Sequence, residues 1–270
     1  MLGGYLMHPH DSCWDRLMLA EEDLNTLDVD IRTALESGPN EVRIDVQPQP
    51  QFTEIRWIAH LPEPPPIRWE TRVGEILRNI HSSIDHLVCH LARAYSGSDC
   101  EHTAFPVYRS VKAYNDGRKG FKKRVAGIDP EAVAILQFLQ PCNSGHPPTD
   151  VIAILDKMAN TEKHRIGHAI DLGTINPYGA ISAGPGGNAT FSMSIHEWRV
   201  CAPGVLEHGA EIAYMRATIH QATNMQVSVN SPLKIVFDNT SHVGAEVVPT
   251  VRGMLDFVRD GVFPLFDRFV

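Results

Sequence analysis

Two groups of side chains have the types and spacing to do chemistry. Arg78 and Asp85 lie seven residues apart, and Glu162, Lys163, His164 and Arg165 are consecutive. At about 100° per residue, a spacing of seven returns to nearly the same side of a helix. A guanidinium and a carboxylate placed that way can hold and orient a polar ligand. Glu162 is the most unusual of the six. It falls near the middle of a stripe formed by Val151, Ile154, Leu155, Met158, Ile166 and Ala169, with Arg165 at the margin. A carboxylate on an apolar face is costly unless it is paired or protonated. One resolution is a Glu162–Arg165 bond at i,i+3, or a pair with a base on another helix, that only fixes register. The other is a carboxylate of perturbed pKa at the mouth of a polar site, with Asn160, Lys163 and His164 supplying donors.

The spacing predicts the elements that carry these residues. A helix is expected from Ser12 to Leu35, ended by Ser37-Gly38-Pro39-Asn40. Alternation at Val42, Ile44 and Val46, and again at Ile55, Trp57 and Ala59, predicts a hairpin. Pro64-Pro65-Pro66 then leads into a first long helix, about Arg68 to Tyr95, whose stripe is Ile76, Leu77, Ile80, Ile84, Leu87, Val88 and Leu91. On it Arg78, Asp85, His86 and Arg93 lie away from the stripe, and His81 sits at the edge. A short helix starts at Asp129-Pro130, and a second long helix runs from Asp150 to Leu172 with Thr149 as its cap. Beyond Gly173 the period becomes alternating. Strands are expected around Phe191 to Ile195, Ile212 to Thr218, Gln226 to Val229 and Leu233 to Phe237. A closing helix carries Val247, Val251, Met254, Leu255 and Val258. The expected fold is α+β: a helical bundle on two long helices, an N-terminal β-hairpin and a C-terminal antiparallel sheet. It is read as a single domain, 1–270, with a helical half of about 1–172 and a strand-rich half of about 173–243. A helix over 244–268 closes it.

Composition narrows the function classes. The chain is 43% apolar and 21% charged, enough for a packed core, and its formal charge of −8 excludes wholesale coating of nucleic acid. A local basic cluster, Arg118, Lys119, Lys122, Lys123 and Arg124, is the exception, and beside Tyr114 and Phe121 it can track a phosphate backbone. The five cysteines are scattered with no Cys-x-x-Cys pair, which predicts reduced thiols and a cytoplasmic protein. No apolar run reaches the roughly 20 residues of a membrane helix, and the first ten residues do not read as a signal peptide. His86 and His90, like His164 and His168, are spaced i,i+4. All four point away from the apolar stripes, and no Glu-x-x-His signature of a carboxylate-bridged diiron site accompanies them, so neither metal nor cofactor is expected. Neither a phosphate loop nor a Gly-x-Ser-x-Gly elbow is present.

Three fragments carry a resemblance: Arg78-Asn79-Ile80-His81-Ser82-Ser83-Ile84-Asp85-His86-Leu87-Val88, then Thr103-Ala104-Phe105-Pro106-Val107, then Leu139-Gln140-Pro141 with Asn160-Thr161-Glu162-Lys163-His164-Arg165. Over roughly Arg68 to Ile170 the chain resembles a widespread group of uncharacterised bacterial proteins. In that group the second helix carries Asp-Lys-His-Arg, and Glu162 here takes the acidic place. The resemblance implies no activity. More loosely, the chain resembles HEPN domains, helical bundles that often act as metal-independent ribonucleases in toxin and defence systems. Their Arg and His have four to six residues between them. Here Arg56–His60 and Arg216–His220 have three, and Arg78–His81 and Arg165–His168 have two. A composite of Arg78 with His164 across helices is what the resemblance leaves.

The sequence thus leads to a protein that binds a small anionic or nucleotide-like ligand between two long helices, lined by Arg78, Asp85, Glu162, Lys163, His164 and Arg165. The alternatives are an RNA-cleaving, toxin-like enzyme and a structural or self-assembling protein, with a homodimer as a possible partner state.

Overall fold

The computed structural model describes residues 11–97, 103–164, 170–174, 179–183, 192–200, 204–221, 225–229, 233–238 and 243–270. Helices and antiparallel strands share the chain in the expected α+β mixture. Two compact units emerge. The first comprises Met1–Leu27, Arg68–His168 and Val248–Val270, and the second Asp28–Ile67 and Ala169–Val247.

The helices are α1 (Asp11–Ser37), α2 (Ile67–Ser96), α3 (Val111–Asp116), α4 (Arg118–Arg124), α5 (Pro130–Phe138), α6 (Val151–His164) and α7 (Val247–Asp256). In the first unit α2 is the centrepiece. Nothing within it breaks a helix, and it stops at Gly97, whose φ of 67° suits a residue without Cβ. All seven residues of its expected stripe are at most 1% exposed. Each such burial contributes about 1.5–3 kcal/mol, so the stripe fixes which face of α2 turns inward. The closing helix packs against α1, as its apolar stripe anticipates. Val247, Val251, Leu255 and Val258 are fully buried. Arg252 and Arg259 both reach Glu21, at 3.4 and 3.2 Å, and Trp14 meets Phe263 edge-on.

The second long helix is shorter than its apolar pattern suggests. The long helices are α1 and α2, whereas the described span of α6 is Val151–His164, 14 residues, and by Ile170 the chain is in a strand. Ile170 to Leu172, read as the end of that helix, belong to a strand. They pair with Phe237, Val236 and Ile235, where alternation and cross-strand pairing outweigh a helical continuation. Its cap is Asp150 rather than Thr149: Ile152 and Ala153 donate their backbone N–H groups to the Asp150 carboxylate at 3.0 and 3.2 Å.

The strands are β1 (Glu41–Pro48), β2 (Thr53–His60), β3 (Ile170–Thr174), β4 (Gly179–Ala183), β5 (Ser192–Val200), β6 (Gly204–Val205), β7 (Glu211–Gln221), β8 (Met225–Val229) and β9 (Lys234–Phe237). In the second unit the expected hairpin β1–β2 forms, but it does not stand alone. It joins the later strands in one sheet of order β1-β2-β7-β5. One face of the central pair is apolar and closed, with Ile55, Trp57 and Ala59 on β2 and Ala213, Met215 and Ala217 on β7 all at most 2% exposed. On the edge strand β5, Ile195 stays 55% exposed, so that strand is less buried than its alternation implies. Phe191 lies outside the described residues. β3 sits between β6 and β9, and β4 pairs with β8.

Among the described residues no helix is long and apolar enough to cross a membrane. The expectation of reduced thiols is corrected at Cys89, which is disulfide-bonded. Cys13 and Cys142 are free.

Candidate functional site

Three pieces of the first unit converge on His81: the polar side of α2, the segment from Phe105 to Arg109, and the first half of α6. His81 lies where the apolar stripe of α2 gives way to the polar side, one turn before Asp85, and is 8% exposed. Its Nδ1 is 3.5 Å from an Asp85 carboxylate oxygen, and its Nε2 is 3.5 Å from Asp156 of α6. At 3.5 Å both contacts are long, and the buried Nε2 meets no acceptor in good hydrogen-bond geometry. The imidazole therefore stands between two carboxylates without being locked to either.

Each carboxylate is held from behind. Asp85 accepts the Phe105 backbone N–H at 2.8 Å, which ties that segment to α2. Asp156 accepts Arg109 at 2.7 Å and the Asn160 side-chain amide, one turn on in α6, at 2.8 Å. Arg109 is fixed by its neighbour. The Tyr108 N–H donates to buried Gln140 and the Tyr108 carbonyl accepts from Cys142, while the Tyr108 hydroxyl donates to the Gly117 carbonyl between α3 and α4. The ring lies so close to Gly117 that a Cβ there would meet it at 2.5 Å. Burial works against ionisation of Asp156, but the His81 imidazole and the Arg109 guanidinium outweigh it and hold the carboxyl below its ordinary range. Arg109 remains 48% exposed along its side chain, so one cation of the cluster faces solvent.

Of the residues singled out from sequence, Asp85 is in this cluster. Arg78 is exposed on the same side of α2, three residues before His81. Glu162, Lys163 and His164 belong to the last turn of α6, but their side chains, and Arg165 entirely, lie outside the described residues. His81 reads from sequence only as a stripe-edge residue, and nothing local joins it to Arg109 and Asp156. A visible signal was the i,i+4 spacing of His81 with Asp85 and of Asp156 with Asn160, which puts each pair on one helix face.

The other histidine spacing has a different outcome. His86 and His90 converge, but on the Ser12 hydroxyl of α1, at 3.3 and 2.8 Å. His90 is 7% exposed rather than turned to solvent, because α1 covers that side of α2. Burial, helped by the charge of Arg16, keeps the His86 pKa below its usual value. Among the described residues no three His, Cys, Asp or Glu side chains are grouped to hold a metal ion, and His168 lies outside them.

No family model matches the chain, and neither a curated protein nor a solved structure matches it.

Proposed function

We propose that the protein binds a small anionic, nucleotide-like ligand at the site built around His81. The observation that carries this reading is the unfinished state of the imidazole: buried, flanked by Asp85 and Asp156, with an Nε2 that meets no acceptor in good hydrogen-bond geometry. An anionic group engages the exposed guanidinium of Arg109, and Arg78 lies on the same side of α2 to assist. Glu162, Lys163, His164 and Arg165, whose side chains lie outside the described residues, are the further candidates for contact with this ligand. Titration calorimetry with a nucleoside monophosphate tests the reading. Arg109→Ala is expected to weaken binding by roughly tenfold or more, the scale of one charge-assisted contact. Equal affinities for native and variant protein would overturn it.

A second reading is favoured by one observation. An imidazole between two carboxylates can take a proton on one nitrogen while the other is oriented, which is the arrangement of a general acid–base pair. This supports an RNA-cleaving enzyme, related in kind to the toxin-like ribonucleases that the sequence resembles. RNA turnover and growth inhibition, compared for native protein, His81→Ala and His164→Ala, decide it, since unchanged behaviour in both variants leaves it no basis. The structural, self-assembling alternative and a homodimer are tested by light scattering. The Cys89 disulfide suits an oxidising compartment and counts against the expected cytoplasmic location.

A further inference from the structure

From Arg109 to Arg124 the chain carries seven basic residues and a single acid, Asp116, in a protein whose formal charge is −8. Arg109 is paired with Asp156. The other six, Lys112, Arg118, Lys119, Lys122, Lys123 and Arg124, are all exposed, and among the described residues none of them is in an ion pair. α3 and α4 are six and seven residues long, which confines these charges to a patch about 10 Å along each helix, comparable to the Debye length of about 8 Å at physiological salt. Like charges so crowded repel one another, and the patch has no internal compensation.

We infer that this segment binds the phosphate backbone of single-stranded RNA. Three features distinguish that occupant. The apolar side chains of α4 and its C-cap, Phe121 and Val125, are 3% and 7% exposed, so the helix has no apolar face to enter a bilayer. Of the two aromatics that the sequence sets among the cations, Phe121 is therefore used in packing. Tyr114 is the available one: it is partly exposed, braced edge-on by Tyr108 and Phe121 at centroid distances of 5.5 Å, and positioned for a base to stack beside the cations. Finally, the patch leads to the His81 cluster. Tyr108 anchors Gly117 between the two basic helices, and the next residue, Arg109, holds Asp156. A strand laid on α4 is thereby directed to the site proposed above to take a nucleotide. The choice of RNA over another polyanion rests on that nucleotide reading.

The test is fluorescence anisotropy of a labelled single-stranded RNA of about 20 nucleotides with the full chain. Native protein is compared with Lys119→Glu/Lys122→Glu/Lys123→Glu and with Arg43→Glu, a charge reversal on the exposed strand β1. Circular dichroism confirms that both variants fold. Native protein is expected to bind. With about five phosphates neutralised, affinity should fall roughly a hundredfold as salt rises from about 50 to about 200 mM. The triple variant should lose at least roughly tenfold, and Arg43→Glu should bind RNA nearly as native. Absence of RNA binding by native protein overturns the inference, and so does a triple variant that binds RNA as native. Stronger retention on phosphatidylserine vesicles than on RNA overturns it in favour of a membrane surface. RNA binding that depends on the α4 lysines, without nucleoside monophosphate binding at Arg109, leaves the patch standing and removes the proposed nucleotide site instead.

Discussion

Glu54 in the sheet and Asp156 in α6 are both carboxylates with more than one donor in reach, and both are held below their ordinary pKa range. The means differ. Glu54 accepts the Tyr214 hydroxyl at 3.0 Å, Arg56 at 3.2 Å and Arg216 at 3.3 Å, with the donors coming from its own strand and the neighbouring one. The guanidinium groups are occupied a second time. Arg56 and Arg199 lie over the Tyr214 ring and Arg216 over Phe52, and Arg199 and Arg216 also reach Glu197. What remains unbonded there is the Nε of Arg56 and of Arg216. This is a cross-strand ladder on a polar sheet face, balanced within itself. The α6 cluster is also charged on both sides, yet its central group, His81, sits 3.5 Å from each acid. The two clusters differ in geometry rather than in charge: one is bonded donor to acceptor across two strands, and the other holds an imidazole between two acids.

The contrast can be broken at four points, taken from the largest effect down. If the sheet is held by its apolar face rather than its charges, Trp57→Ala should destabilise the protein by about 3–5 kcal/mol in denaturant unfolding. At the site, Asp85→Ala strands the Phe105 N–H and should cost about 1–3 kcal/mol. Asp85→Asn, which keeps an acceptor, should recover most of that, and equal losses in the two variants would show that hydrogen bonding is not what Asp85 provides. Next comes pH. The Asp156 pKa is lower in the folded chain than in the unfolded one, so its contribution is present above about pH 4 and is lost as pH falls through the folded value. The stability gap between native protein and Asp156→Asn should therefore narrow on acidification below about pH 4, and a gap constant with pH contradicts the assignment. Smallest of all is Glu54→Gln. It should lower the unfolding temperature only slightly, because one oxygen still accepts from Tyr214 and Arg216 and only Arg56 loses its acceptor, and it should leave nucleotide affinity where it was. A loss of nucleotide affinity there would erase the distinction between the two clusters.

How far the sequence carries depends on where the deciding contacts lie. α2 is legible almost to the residue, since its stripe is continuous, proline precedes it and glycine follows. The end of α6 is not. Ile166, Ala169 and Leu172 continue a helical stripe, while Ile170 and Leu172 also fit a strand. Only Phe237 and Ile235, more than 60 residues on, choose the strand for the latter pair. The site divides in the same way. Arg78 and Asp85 are readable from one helix. Asp156 gains its meaning from Arg109, 47 residues away, and from His81 on another helix, which no local period announces. The stripe-edge position of His81 looked like a boundary. In the fold, that boundary is where an imidazole can be buried and still meet charge.

The close approach of Tyr108 to Gly117 sets a limit on variation in this chain. Around it lie six exposed bases that can be exchanged for one another with little effect on the fold. Gly117 cannot follow them. A side chain there would run into the Tyr108 ring at 2.5 Å and the Ala113 carbonyl at 2.9 Å, and the displaced ring would carry Arg109 with it. Exchange among those bases leaves the Tyr108 ring where it is, whereas any side chain at position 117 must move it and Arg109 together.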